Sequence, residues 1–202
     1  MSRLRSDAVA LTFDACGGPG LGAGADHALL GTLRRLGVPA TLFLNLRWIE
    51  ANPSLARDLA QDPLFELANH GRRHRPLTVR ERTAYGIRGT ASVGEVFDEI
   101  DCATAWFTEH TGGPARWFRA GTAHVDDVAA AIASRLGQPI AGFSVNADAG
   151  ATAPRRAIVG ALSEVRPGDI VIGHLTGPKG PRPKAWPALC PDCSREGRPS
   201  PT

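Results

Sequence analysis

Short apolar runs alternate along the chain with segments in which apolar residues recur at every third or fourth position. The runs are typical of buried strands, whereas the spaced pattern indicates amphipathic helices. Six strands are predicted, at residues 8–13, 38–44, 64–68, 117–118, 139–145 and 170–172. Strict alternation of strands and helices predicts an α/β fold in which parallel strands are joined by right-handed crossovers.

Helices are expected between these strands. Asp26 is a suitable cap for a helix with leucines on one face, and Pro53 is suited to open a second helix that runs to about Asp62. The longest helix is predicted over residues 91–111, and further helices are predicted to begin at Asp126 and Pro154.

Polar residues stand where the predicted strands end. They are Asp14, His70, Arg119, Asn146 with Asp148, and His174. In a parallel barrel the carboxyl ends of the strands meet on one face, where active sites are built. The sequence therefore predicts one site that gathers these side chains.

Two of these positions suggest a metal ion. His70 and His74 are four residues apart. On a helix or a tight turn this spacing brings both imidazoles to one side, where neutral ring nitrogens can bind one divalent cation. Two solvated loop histidines are the alternative interpretation of the spacing, and the polar residues at the other strand ends favour the metal site.

Five ordered motifs resemble those of a known family. They are Thr12-Phe13-Asp14, His70-x-x-x-His74, Arg119-x-Gly-Thr, Asn146-x-Asp148 and Ile172-Gly173-His174. The sequence is similar to the polysaccharide deacetylases, the NodB-like domains of carbohydrate esterase family 4, over about residues 8–177. The resemblance implies a distorted, incomplete (β/α) barrel. It also implies a divalent metal ion such as zinc, and removal of acetyl groups from N-acetylated or O-acetylated polysaccharide such as peptidoglycan or chitin.

The resemblance assigns roles to the catalytic residues. His70, His74 and Asp14 would be metal ligands, and Asp14 would also take a proton from the attacking water. His174 would be the acid that protonates the leaving amine, and Arg119 would orient the Asp14 carboxylate.

The resemblance also implies residues that act on the substrate side of the site. The aspartate of the family's fourth motif aligns with Asn146, and Asp148 is close enough to substitute for it as a catalytic residue. The backbone N–H near Thr122 would point at the oxyanion. Trp48 could stack on a sugar ring, although a buried aromatic ring is the alternative.

The first motif departs from the family. Its usual second aspartate, a metal ligand, is replaced by Ala15, which Cys16 follows. Asp14 then acts as both ligand and base, or the metal keeps two histidines and water. The run Thr-Phe-Asp-Ala-Cys-Gly-Gly resembles a branch of the family, so the change is interpreted as a subfamily pattern.

Composition narrows the range of partners. The net charge is +3, and the arginines that supply it are spread along the chain with acids between them, so no nucleic-acid stripe is predicted. No apolar run approaches the roughly 18 residues that a membrane span needs. No signal-peptide core is recognised, so the chain as written is expected in the cytoplasm, whereas the family resemblance suggests the cell envelope or secretion.

Three other functions compete with the deacetylase interpretation. The G-x-G-x-x-A pattern at residues 18–23 could open a dinucleotide site, but the second strand lacks the acidic residue that would bind the ribose. Cys16 beside a histidine could be a nucleophile. The main alternative is a catalytically inactive, carbohydrate-binding member of the same fold, since one metal ligand is missing.

Residues 1–177 are expected to form the catalytic domain and residues 178–202 a disordered tail. The tail is rich in proline and poor in large apolar residues, so burial cannot offset the entropy of ordering it. Its Cys190-x-x-Cys193 pair is assigned no function. Without a closing unit, the barrel is expected to be open between the sixth strand and the first, with an exposed sheet edge.

Overall fold

The computed structural model describes residues 3–17 and 23–175. Within these ranges the strands are β1 (Ala10–Ala15), β2 (Ala40–Leu44), β3 (Phe65–Asn69), β4 (Thr83–Ala84), β5 (Ile87–Arg88), β6 (Val145–Asn146) and β7 (Ile170–His174). The helices are α1 (His27–Leu36), α2 (Leu46–Ala51), α3 (Pro53–Gln61), α4 (Val93–Asp101), α5 (Thr104–Thr111), α6 (Asp127–Arg135) and α7 (Arg155–Ser163).

The main sheet has five strands in the order β3-β2-β1-β7-β6. Every pair in it is parallel, as the alternation of strands and helices predicts. Within the part of the chain that the structure describes, the sheet continues beyond β3 only through isolated bridges, from Asn69 to Phe118 and from Phe118 to Ile140. The chain from Ile140 leads into β6 on the other side of the sheet. The result is the distorted, incomplete barrel that the sequence indicates.

The prediction of an open gap between the sixth predicted strand, which is β7, and the first, which is β1, is wrong. Strand β7 pairs with β1 along its whole length, from Ala10 opposite Ile170 to Asp14 opposite His174. No closing unit is needed there because β7 itself covers that edge of β1. The tail, residues 178–202, lies outside the described residues.

Several element boundaries also differ from the expectation. The predicted helix over 91–111 is two helices, because α4 ends at Asp101 and α5 begins at Thr104. The predicted strand at 117–118 contributes only the bridges of Phe118, and the one at 139–145 is regular only in β6. The hairpin of β4 and β5 and the short helix α2 are not predicted by the sequence pattern.

Local capping explains where the helices start. Asp26 accepts a hydrogen bond from the Leu29 N–H (2.9 Å) and Asp126 accepts one from the Ala129 N–H (2.8 Å). Each bond satisfies a donor that the first helical turn leaves without a partner. Among the described residues, no helix is long and apolar enough to cross a membrane.

Two apolar clusters hold the strand ends in place. The larger includes Phe13, Leu42, Leu44 and Trp48 and joins the sheet to its flanking helices. The smaller includes Leu77 and packs α4 and α6 around Phe118. Burying a side chain of this size contributes about 1.5–3 kcal/mol, so both clusters fix the backbone from which the polar residues project.

Candidate functional site

The carboxyl ends of the parallel strands bring the predicted polar residues together. Asp14 and His174 are register partners on β1 and β7, and His70 directly follows β3. Arg119 follows the Phe118 bridge, and its N–H bonds to the Asn69 carbonyl oxygen at 2.9 Å. The structure therefore brings these four of the predicted residues to one end of the sheet.

Asp14 is buried against a charged partner. Arg119 Nη1 donates to Asp14 Oδ1 at 2.7 Å, and both side chains are almost completely buried. Burial raises the pKa of Asp14, but the charge and the hydrogen bond of Arg119 lower it, as do the neighbouring histidines, and the net pKa lies below its ordinary value. The carboxylate is therefore ionised and able to accept a proton once a reaction supplies one.

Arg119 is fixed by more than this ion pair. Its guanidinium also donates to the Thr12 hydroxyl (2.9 Å) and to the carbonyl oxygens of Ala141 (3.2 Å) and Gly142 (3.3 Å). The guanidinium carbon lies 4.0 Å from the centre of the Phe43 ring. With its donors satisfied, this buried arginine holds Asp14 in one orientation.

His70 presents one ring nitrogen to the site. Its Nδ1 lies 2.8 Å from the Arg119 carbonyl oxygen, which can only accept, so Nδ1 carries the hydrogen. In the neutral ring Nε2 then has the free lone pair that a metal requires. This Nε2 faces the Cys16 Sγ at 3.5 Å and the Asp14 Oδ2 at 3.7 Å.

Cys16, His70 and His74 form the group that could hold a metal ion. One donor atom from each lies within 4.8 Å of the other two. The rings of His70 and His74 meet edge to face, with centroids 4.8 Å apart. One sulfur and two imidazole nitrogens are donors that suit zinc, so the residues present fit the ion that the family resemblance implies.

The charges around this group favour a cation. Burial raises the pKa of the Cys16 thiol, but hydrogen bonds from the side chains of His174, His70 and His74 lower it. The net pKa of the thiol lies well below its ordinary value. Burial lowers the pKa of His70, but the Asp14 carboxylate and Cys16 raise it above its ordinary value. Two acidic groups thus face one imidazole nitrogen, and a cation between them would be stabilised.

Glu99 shapes the loop between the two histidines. Its buried Oε1 accepts from the backbone N–H groups of Arg73 (2.8 Å), Arg72 (3.1 Å) and Arg75 (3.5 Å). Gly71 adopts a φ of +71°, and a Cβ there would lie 2.7 Å from the Glu99 Oε1. The carboxylate therefore organises the turn that carries His74 back toward His70.

A second close contact supports His74 from the other side. His74 has a φ of +57°, which is uncommon for a residue with a side chain. The single turn of 3-10 helix Gly121–Ala123 lies against its backbone. A Cβ at Gly121 would be 2.1 Å from the His74 carbonyl carbon, so only glycine fits there.

His174 is paired with Asp148. The His174 Nδ1 and the Asp148 Oδ1 are 2.8 Å apart, and the His174 backbone N–H donates to Asp148 Oδ2 at 2.8 Å. Burial lowers the pKa of His174, but the hydrogen bonds with Asp148 and Cys16 raise it, to about 10. This histidine is suited to hold a proton and donate it, which is the role that the family resemblance implies, and Asp148 fixes its orientation.

The residues expected on the substrate side lie in different surroundings. Trp48 is completely buried and donates its indole N–H to the Gly24 carbonyl oxygen at 3.1 Å. The prediction that Trp48 stacks on a sugar is wrong, because its ring has no face open to a ligand. Asn146 is exposed and accepts from the Ala149 N–H (2.9 Å). Thr122 is half-buried, beside the contact between Gly121 and His74, and its role toward an oxyanion stays a prediction.

Sequence reasoning considered Cys16 only as a nucleophile and not as part of the metal group, and it did not include Glu99 at all. For Cys16 a signal existed: it is two residues after Asp14, and alternate residues of an extended segment point to the same face. Glu99 gives no such signal, since its contacts with residues 72–75 depend on how α4 packs.

Comparison with known proteins identifies the class. The sequence model of the polysaccharide deacetylase family matches residues 2–141, and the chain belongs to this family. No curated protein matches the chain.

Solved structures share the fold. A family 4 carbohydrate esterase from Streptomyces lividans, in complex with acetate, is 26% identical, with 91% of this chain and 85% of that chain covered and a TM-score of 0.70. The Bc1960 peptidoglycan N-acetylglucosamine deacetylase is 19% identical, with 97% and 86% covered and a TM-score of 0.74. The BA3943 pseudoenzyme of carbohydrate esterase family 4 from Bacillus anthracis is 22% identical, with a TM-score of 0.67. The match covers 87% of this chain but only 58% of that chain.

Proposed function

We propose that this protein is a metal-dependent hydrolase that removes acetyl groups from N-acetylated polysaccharide, with peptidoglycan or chitin as the substrate class. The observation that carries the proposal is the grouping at the strand ends. An ionised Asp14 and a proton-bearing His174 are held opposite each other on β1 and β7, next to the two histidines of the candidate metal group. O-acetylated polysaccharide is the related substrate that the same chemistry would serve.

The chain's own residues divide the work of hydrolysis. A divalent ion held by His70 and His74 would polarise the acetyl carbonyl and make the attacking water more acidic. Asp14, oriented by Arg119, accepts the proton of that water. His174, held by Asp148, donates a proton to the nitrogen of the leaving amine, so that the carbon–nitrogen bond breaks without release of a free amide anion.

The comparisons support the substrate class. The Bc1960 protein is a peptidoglycan N-acetylglucosamine deacetylase, and the Streptomyces lividans protein is a carbohydrate esterase. Peptidoglycan and chitin lie outside the cytoplasm, so we also propose that the protein acts at the cell envelope or after secretion.

The proposal is tested by measuring acetate release together with metal content. The purified protein, loaded with Zn²⁺, is incubated with N-acetylglucosamine oligomers and with peptidoglycan, and acetate is quantified. We expect release by the wild type and about one bound ion per chain. A His70→Ala, His74→Ala double variant is expected to lose both, and equal metal occupancy in the two proteins would contradict the metal site.

A second variant separates chemistry from metal binding. Asp14→Asn keeps the size of the side chain but removes the proton acceptor, so acetate release should fall by roughly 10²-fold or more. His174→Gln removes the proton donor and should lower the rate of acetate release by a similar factor. If either folded variant releases acetate at the wild-type rate, the assigned roles are wrong.

A catalytically inactive, carbohydrate-binding protein is the second candidate. Ala15 stands where the family has a metal-binding aspartate, and this replacement favours it. Such a protein would bind N-acetylglucosamine oligomers in calorimetry but release no acetate at any metal loading. Acetate release that depends on Asp14 excludes this candidate.

A further inference from the structure

We infer that the Cys16 thiolate is the third protein ligand of the metal ion, so that the centre has one sulfur and two imidazole donors. The inference rests on the proposed function for its metal site. It assigns the ligand that the replacement of the usual aspartate by Ala15 leaves open.

The geometry supports sulfur in this role. The Cys16 Sγ lies 3.5 Å from the His70 Nε2, the nitrogen that carries the lone pair when the ring is neutral. The donor atoms of Cys16, His70 and His74 are mutually within 4.8 Å, which one ion can span with bonds of about 2.0–2.3 Å. Ala15 has no donor, and its side chain is fully buried in the apolar cluster.

The surroundings of Asp14 support the same assignment. Its Oδ1 is engaged by Arg119 at 2.7 Å, and its Oδ2 stands 3.7 Å from His70. If sulfur completes the ligand set, Asp14 does not have to bind the ion and accept a proton at the same time. The thiolate therefore separates the two roles that a single carboxylate would otherwise share.

A thiolate also changes which ion the site prefers. Sulfur is a soft donor that favours zinc, whereas Mg²⁺, Ca²⁺ and Mn²⁺ prefer oxygen. We therefore expect a centre selective for Zn²⁺ or Co²⁺. It should be more sensitive to oxidation than a centre with a carboxylate ligand, because the thiolate can be converted to a sulfenic acid.

Cobalt substitution tests the inference directly. The metal-free full chain is titrated with Co²⁺, and a sulfur-to-cobalt charge-transfer band is sought in the near ultraviolet. We expect the band in the wild type and its loss in Cys16→Ser, with Zn²⁺ affinity lower by at least about tenfold. Cys16→Asp should bind metal without the band and should accept Mn²⁺ better than the wild type does.

Matched variants make the result specific to Cys16. Cys102→Ser changes the other cysteine that the structure describes, which is half-buried at the end of α4. A Cys190→Ser, Cys193→Ser double variant changes the remaining two cysteines of the sequence. Both controls should keep the band and the Zn²⁺ affinity.

Three outcomes overturn the inference: a wild type that binds cobalt without the band, a band that persists in Cys16→Ser, and wild-type Zn²⁺ affinity in Cys16→Ser. Acetate release is measured on the same proteins and distinguishes the two proposals. Metal-dependent acetate release without the band refutes only the sulfur ligand. A Cys16-dependent band without acetate release on any substrate refutes only the proposed activity.

Discussion

The guanidinium of Arg119 lies 2.7 Å from the Asp14 carboxylate, and the pair is buried where β1 ends. The backbone oxygen of the same arginine accepts from His70 Nδ1 at 2.8 Å. One residue therefore orients the proposed base and also fixes which nitrogen of His70 faces the metal group. A substitution of the Arg119 side chain should therefore remove its effect on Asp14 but keep the backbone oxygen that faces His70.

Replacing Arg119 with methionine should destabilise the fold and move the acid limb of the pH–rate profile. The pKa of Asp14 lies below its ordinary value of 3.8, so the pairing stabilises the protein above that pH and is lost as the pH falls through the pKa in the folded protein. Arg119→Met leaves a buried carboxylate without its partner, at a cost of about 3–5 kcal/mol near neutral pH.

Urea unfolding at several pH values and a pH–rate profile measure the two effects. The stability difference from the wild type should narrow in acid, and the acid limb should move to higher pH. Arg135→Met, on the exposed face of α6, serves as the control and should change neither. An unchanged acid limb in Arg119→Met would exclude its role in tuning Asp14.

Asp148→Asn should shift the alkaline limb of the same profile. Asp148 raises the pKa of His174, so loss of its charge lowers that pKa and the acid loses its proton at lower pH. We expect kcat/KM to decline at a lower pH than in the wild type. Asp98→Asn, an exposed change on α4, should leave the profile in place. An alkaline limb that stays fixed in Asp148→Asn assigns that limb to another group.

Glu99→Ala should weaken metal binding without any change in a candidate ligand. Three backbone donors of the loop lose their shared acceptor, and leaving them unsatisfied lets the loop relax. We expect a loss of at least about tenfold in Zn²⁺ affinity. The affinity of Glu99→Gln should lie between those of the wild type and Glu99→Ala, because the amide keeps an acceptor oxygen.

Competition with a chelator dye at a temperature where every variant is folded gives the Zn²⁺ affinity of the Glu99 variants. Glu95→Ala is the matched control, because it removes a partly exposed ion pair with the Arg75 side chain one turn earlier on the same helix. Equal affinities in Glu99→Ala and Glu95→Ala would mean that the loop holds its shape without Glu99.

Gly121→Ala should impair metal binding by displacing His74. The new Cβ would lie 2.1 Å from a backbone carbon of His74, so one of the two segments has to move. We expect lower Zn²⁺ affinity and a lower melting temperature. Gly113→Ala is the control, since a Cβ there meets nothing within 4 Å. Zn²⁺ affinity equal to that of the wild type in Gly121→Ala would show that the His74 segment tolerates the shift.

The sequence was most informative where strands are regular. The runs that became β1, β2 and β7 are apolar because both faces are covered, and β3 is buried except at Glu66. The residues just after these parallel strands therefore share one end of the sheet. Asp14, His70 and His174 could be predicted for that reason. The sequence was least informative where one residue carries the pairing, as at Phe118, or where tertiary packing sets the contact, as at Glu99.

The pairing of β1 with β7 has a consequence for when the proposed site can be assembled. It joins Asp14 to His174 across most of the chain, and contacts between such distant residues require a long loop to close, which slows folding. A chain still emerging from the ribosome can assemble β1, β2 and β3 with the loop of residues 70–74, but it lacks β7, which carries the proposed proton donor His174. Under the proposed function, His70 and His74 would be able to bind a metal ion before the base and the acid are both in place, and the proposed hydrolysis would require the chain through residue 174.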